Sequence, residues 1–496
     1  MDSSITWHDG PPLAAQRART LAQLVAACRA RFGSRAVLHE AGRSWSWDEL
    51  DECAAARAAD WSSRLGPGDR VAILLPAGAA HFIAQLAAWR CGAIAAPVYR
   101  GLPASQRDAV LARLEPSVVV AEQGLVPGAV TAEALVAPGR AAASTYAACE
   151  PDTPAMILWT SGSSGQPRGV VLSHENLCSQ QAAFAAVWPE VGPDDCMVGY
   201  LPWHHSFGAL AEGLWALVRG VSFHVVPGEG RDREALRTVL QAQSPSVFMS
   251  VPRLHRDLHL HGGLDLSTLR WTFTAGAPLG QAERDWYAQA GVPVFEGWGL
   301  TETSPSATIT RTPCVAGLVG EPIPGVSVGV DAEGAILVRG PGVMRGYWQD
   351  PVATQAVLTD GILNTGDVGC WEGPSLRLYG RSDHVLKLDN GEKLPVLQTE
   401  CALAEHAAIR HAVVTVVDDE LAAICEAAQD TDAVRSAVAA LKPVLGRYPI
   451  RRTYVVARPF DQMTGTLTPS HKVVRGVVLA QFARWQARGG QAFRQV

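Results

Sequence analysis

The sequence predicts an α/β protein: a large N-terminal domain of layered α/β sheets over residues 1–382, then a small α+β domain over residues 383–496. Three observations predict it. Residues 70–98 read as strand, helix, strand, the alternation of a mainly parallel sheet. Residues 156–172, MILWTSGSSGQPRGVVL, are two apolar runs around a loop of small and hydroxylated residues. Beyond residue 383 short helical and strand-like patterns alternate, as in a small mixed domain.

Composition narrows the function. A chain of 496 residues with 48% hydrophobic and 18% charged content is long enough for two domains with sizeable cores. A net charge of -6 without a dense Lys/Arg block argues against general nucleic-acid binding. Ten scattered cysteines without a Cys-x-x-Cys pair read as reduced thiols of a cytoplasmic protein. The first residues lack a basic n-region and an apolar h-region, so no signal peptide is expected. The most apolar stretch, residues 71–98, is broken by Pro76, His81 and Arg90, which disfavours a transmembrane helix.

In chain order, residues 20–32 have helical spacing, and residues 36–40 and 43–45 form a hairpin around Ala41 and Gly42. Ser46 with Glu49 makes a capping box for a helix running to about Leu65. Residues 103–114 and 117–122 repeat the helix and strand pattern, and residues 127–151 are expected to be irregular. Ser173 caps a helix through Val187. Residues 246–251 and 271–275 are strand-like, and His255, His259 and His261 read as a solvated helix face. In the C-terminal part, residues 399–406 and 431–445 are helical, and 412–417, 421–426 and 452–456 are strands.

The loop at residues 160–169 carries the first chemical signal. Its hydroxyls, its free amide N–H groups and the positive charge of Arg168 suit a polyphosphate. The same composition suits a flexible linker. It is not a Walker A loop, since no Gly-Lys-Ser/Thr follows at the required spacing. Thr160, Ser161, Gly162, Ser163, Ser164, Gly165, Gln166, Pro167, Arg168 and Gly169 together resemble the phosphate loop of adenylate-forming enzymes, the superfamily of acyl-CoA synthetases, aryl-CoA ligases, luciferases and adenylation domains. That family usually has Lys where this chain has Arg168, which keeps the charge and changes its geometry.

Further motifs follow in the family's order. Residues 200–208, YLPWHHSFG, resemble the segment bordering the acyl pocket, with His205 at its gate and Trp203, His204 and Phe207 beside it. Paired histidines also invite a metal reading, but adjacent side chains diverge and no ligand cluster accompanies them. WTFTAGAPL, residues 271–279, resembles the segment beside adenine and acyl group and contributes Ala275, Gly276 and Ala277. In GWGLTE, residues 297–302, the resemblance puts Trp298 and Gly299 at the adenine, Thr301 at a phosphate oxygen and Glu302 on Mg²⁺. Ser304 follows as a pocket wall. Residues 317–322 and 339–347 also match. In NTGD, residues 364–367, Asp367 would accept both ribose hydroxyls. Residues 379–387 resemble the hinge, with Asp383 at the pivot and Arg381 on the nucleotide. TLTPSHKVVR, residues 466–475, resembles the C-terminal lysine motif of long-chain acyl-CoA synthetases, making Lys472 the catalytic cation.

The resemblance spans residues 21–475 and implies the adenylate-forming enzyme fold with a mobile C-terminal domain. It implies a two-step reaction. A carboxylate attacks the α-phosphorus of ATP, expelling pyrophosphate. A thiol, usually coenzyme A, then takes the acyl group and AMP leaves. Two anions meet in the first step, so cations and donors must face the transition state. Lys472, Mg²⁺ on Glu302, Thr160 with the rest of the loop, and Arg381 are the residues implied. The motifs leave open two other outcomes: transfer to the phosphopantetheine of a separate acyl carrier protein, and activation of nitrite for N–N bond formation. Retention of Glu302, Asp367, Arg381 and Lys472 counts against a non-catalytic nucleotide binder. Which acid is used, fatty or aryl, is not legible.

Overall fold

The computed structural model describes residues 5–14, 18–40, 42–137, 145–161, 167–311, 315–382, 385–387, 393–418, 420–428, 430–440, 449–461, 463–467, 473–489 and 492–495. The chain divides into two compact units. One comprises residues 1–365 and 373–376, the other residues 366–372 and 377–496.

Two large sheets organise the first unit. A six-stranded sheet runs Gly346–Tyr347, Pro167–Ser173, Pro154–Ser161, Ile94–Pro97, Arg70–Leu74, Val118–Ala121. Its last four strands are parallel, and the first three join antiparallel. Between Arg70–Leu74 and Ile94–Pro97 lies the helix Ala79–Arg90, nearly every residue of which is buried. The His81 and Arg90 interruptions therefore belong to a core crossover helix, and Pro76 to the turn that precedes it. Arg90 enters that core because the buried Asp51 carboxylate meets it at 2.5 Å. Among the described residues no helix is long and apolar enough to cross a membrane.

The second sheet has nine strands with a parallel centre of Val294–Trp298, Trp271–Ala275, Val247–Ser250, Cys196–Gly199 and Ser222–Val225. The expected hairpin, Ala36–Glu40 with Arg43–Ser46, closes one edge. A third sheet includes Thr6–Asp9, Ser327–Val330 and Ala335–Arg339. Thr20 with Gln23, Ser46 with Glu49 and Ser173 with Asn176 cap their helices reciprocally, so the N3 amide and the capping residue's own amide each have a side-chain acceptor.

Two expectations fail. Ala132–Val136 forms a short helix inside the stretch read as irregular, because the Thr131 hydroxyl caps it and Leu135 is fully buried. His255 is not on a solvated face. It is 0% exposed, and its Nδ1 lies 2.8 Å from the Tyr287 hydroxyl. Helical periodicity places residue 255 on the same face as Leu254 and Leu258, which a polar residue type hides.

The second unit has a four-stranded sheet of Ile409–Val417, Glu420–Ala427, Arg452–Val456 and Phe493–Gln495, with the helices Val396–Glu405, Thr431–Ala440 and Arg475–Arg488 among its described residues. Apolar residues lie on both of its faces. Val414, Leu421, Val434 and Val455 belong to one cluster, and Val413, Ile424, Tyr454 and Phe482 to the other.

Candidate functional site

The phosphate-loop segment is an antiparallel hairpin in which Thr160 pairs with Arg168 and Trp159 with Gly169. The Thr160 hydroxyl donates to the Arg168 carbonyl at 3.4 Å. Gly162, Ser163, Ser164 and Gly165 lie outside the described residues, as does the Ser161 side chain. On the far side of Pro167–Ser173 the strand Gly346–Tyr347 adds a third member, with Tyr347 opposite Val170. That register puts the Tyr347 ring against the phosphate-loop cation: the Arg168 guanidinium carbon stands 5.4 Å from the ring centre.

Tyr347 also reaches Glu302. Its hydroxyl donates to Glu302 Oε1 at 2.8 Å. Burial, with the Glu302 charge and hydrogen bond, pushes the phenol well above its usual range, so it remains a donor at neutral pH. Glu302 itself sits on the short turn Thr301–Thr303 after the strand Val294–Trp298, and its carbonyl accepts from the Met344 amide at 2.9 Å. Among the described residues, Glu302 Oε2 has no hydrogen-bond or ion-pair partner. Nor do the described residues contain a group of three His, Cys, Asp or Glu side chains able to hold a metal. One carboxylate with a free oxygen fits Mg²⁺, which is commonly held by one or two carboxylates, waters and substrate phosphates.

The strand ends beside this turn carry the adenine candidates. Ala275 lies in register with Gly297, and Gly276 turns the chain at φ +85° before the exposed Ala277. Gly299 is required by close approach, since a Cβ there would lie 2.1 Å from the Pro305 carbonyl oxygen. Trp298 is 6% exposed, so most of its indole is committed to the fold. Thr301 Oγ1 lies 3.1 Å from the Ser206 hydroxyl and ties this segment to the acyl motif.

The acyl motif divides into packed and open members. Trp203 is 2% exposed, with its ring against His81, Phe82 and Phe223, which leaves little of it to face a ligand. Ser304 is 0% exposed and its hydroxyl donates to the Gly342 carbonyl at 2.8 Å, so it too is spent within the fold. Phe207 meets Phe273 edge-on at 5.7 Å. The His204 ring meets those of Tyr99 and His205 at tilted angles, with centroids 4.7 and 4.6 Å away. Burial and the nearby His205, His81, Arg231 and Arg100 hold its imidazole well below the usual range, hence neutral.

Sequence reasoning missed two residues here. Tyr347 closed a quoted motif but received no role. Glu212 is a buried carboxyl group within the π-helix Phe207–Leu214, accepting from the Tyr200 and Leu201 amides at 3.3 and 3.1 Å. A lone charge in an apolar run was its signal.

In the second unit, Asp367 is buried and lies 3.6 Å from Arg381 Nη1. Gly366, next to Asp367 in the chain, adopts φ +71°, and a Cβ there would lie 2.7 Å from Arg381 Nη2. Asp383 and Lys472 lie outside the described residues.

Comparison with known proteins gives consistent results. The AMP-binding enzyme family profile matches residues 25–348. The human mitochondrial malonate–CoA ligase ACSF3 is 29% identical over 420 residues, 71% of this chain and 72% of that protein. The long-chain-fatty-acid–CoA ligase FadD15 of Mycobacterium tuberculosis is 27% identical over 529 aligned positions, 84% of this chain and 87% of that protein. Among solved structures, the o-succinylbenzoate coenzyme A synthetase of Bacillus subtilis in complex with AMP superposes with a TM-score of 0.80. It covers 95% of this chain and 99% of that one at 19% identity, a likeness of fold.

Proposed function

The chain belongs to the AMP-binding enzyme family, and on that premise we propose that it is an AMP-forming acid–thiol ligase of the acyl-CoA synthetase type. It activates a carboxylic acid with ATP as an acyl-adenylate, releases pyrophosphate, and passes the acyl group to coenzyme A. The observation that carries this reading is the match to CoA ligases over 71% and 84% of the chain.

The residues divide the work by chemistry. Thr160, Ser161, Gly162, Ser163, Ser164, Gly165 and Arg168 cradle the polyphosphate. Trp298, Gly299, Gly276 and Ala277 border the adenine, and Thr301 donates to a phosphate oxygen. Asp367 takes the ribose hydroxyls, with Arg381 beside it. Glu302 holds Mg²⁺, which when bound neutralises charge on the phosphates. Lys472 donates to the oxygen that gains charge as the carboxylate attacks. His205, Phe207 and Ala275 border the acid. Trp203 and Ser304 support that border from behind, by packing and by a backbone hydrogen bond. Asp383 is the hinge of a mobile domain beginning at residue 383, whose rotation separates the two steps.

The test is a mass spectrum of products from ATP, Mg²⁺, CoA and a panel of a dicarboxylic acid, a long-chain fatty acid and aryl acids. A new CoA thioester is expected and names the acid. Acyl-adenylate without thioester redirects the second step to a carrier protein. Untouched ATP across the panel overturns the reading, and nitrite with an amino-aryl acid is then the next substrate to try.

A further inference from the structure

We infer that Tyr347 is a positioning residue for Glu302: its hydroxyl fixes one carboxylate oxygen so that the other faces the metal, and Arg168 braces the ring that does so. The inference rests on the reading of Glu302 as the Mg²⁺ carboxylate.

The geometry is specific. A free glutamate rotates about its last torsion, and a metal that binds it must first order it. Here Oε1 is held at 2.8 Å by the phenol and Oε2 is left without a partner among the described residues. The phenol is itself immobile. The Tyr347 amide donates to Thr354 Oγ1 at 2.9 Å, its backbone pairs with Val170, and the next amide, Trp348, donates to the Gly169 carbonyl at 2.7 Å. One ring thus joins the loop cation to the metal carboxylate. Arg168 stands over the ring at 5.4 Å while the hydroxyl points at Glu302. A planar guanidinium stacks on an aromatic face better than an ammonium, which gives the Arg at this position a physical use.

The experiment measures Mn²⁺ binding to the full chain by paramagnetic resonance, in the presence of a non-hydrolysable ATP analogue. Tyr347→Phe removes one oxygen and keeps the ring. It is expected to weaken Mn²⁺ binding about tenfold, the order expected for a partner that orients a metal ligand. The Mg²⁺ concentration for half-maximal adenylation should rise in step, while the melting temperature holds. Glu302→Gln should weaken Mn²⁺ binding further, and the Tyr347→Phe/Glu302→Gln double variant should be no weaker than Glu302→Gln alone. Mn²⁺ affinity unchanged in Tyr347→Phe but lost in Glu302→Gln, or additive losses in the double variant, overturns the inference. Unchanged affinity in Glu302→Gln overturns instead the reading of Glu302 on which it rests. Should Tyr347→Phe fail to fold, Arg168→Lys carries the test. Its Mn²⁺ affinity is expected to fall about two- to fivefold beyond any loss of affinity for the metal-free ATP analogue, and no change, or a fall matched by the analogue alone, overturns the inference.

Discussion

Around Glu302, side chains meet through one hydrogen bond and leave an oxygen without a partner among the described residues. Around Trp203, His81, Phe82 and Phe223 close on a ring that is 2% exposed. Both segments carry family motifs, and they use them differently. The first fixes a half-buried carboxylate without covering it. The second fills space. Membership of a motif therefore does not separate a pocket wall from its support. Free valence and exposure do.

Trp203→Ala would break that comparison most severely. Deleting a buried indole is expected to cost about 3–5 kcal/mol of stability, read by urea denaturation. If stability stays level and only the acid KM rises, Trp203 is a pocket wall after all. Glu302→Ala should do the opposite: the melting temperature holds and pyrophosphate release slows by about 10²–10³-fold. Lys472→Ala is expected to cost adenylation a similar amount, about 3–4 kcal/mol in the barrier. Adenylation near the parent rate in the lysine variant would remove it from the mechanism.

The buried histidines sharpen the contrast through pH. Burial pushes the His255 imidazole down to about 3, against about 6.5 in an unfolded chain. Between those values the unfolded state binds more protons, so stability declines as pH falls below about 6.5 and levels off near 3. Denaturation curves at pH 7 and pH 5 should show that loss, and His255→Gln should show less of it. An equal loss in the variant would assign the slope to other groups, such as His81, which burial pushes to about 4. Ser304→Ala is the smallest change. It removes the hydrogen bond to Gly342 and should cost about 0.5–1.5 kcal/mol, with acid preference unaltered. A shifted acid profile would return Ser304 to the pocket.

By itself the sequence determined the α/β layering, the hairpin at residues 36–45, the helices capped by Ser46 and Ser173 and the order of the motifs, because those rest on local periodicity, turn chemistry and spacing. It also marked Arg168, Glu302 and Asp367 as residues of interest. Only the tertiary structure decided what each side chain meets. Tyr347 stands 45 residues from Glu302 in the chain, and strand pairing with Val170 brings it there. Glu212, Trp203 and His255 became buried through packing between elements distant in sequence. Burial and hydrogen-bond partnership are long-range properties, and no local pattern of residue types encodes which oxygen of a carboxylate is left free.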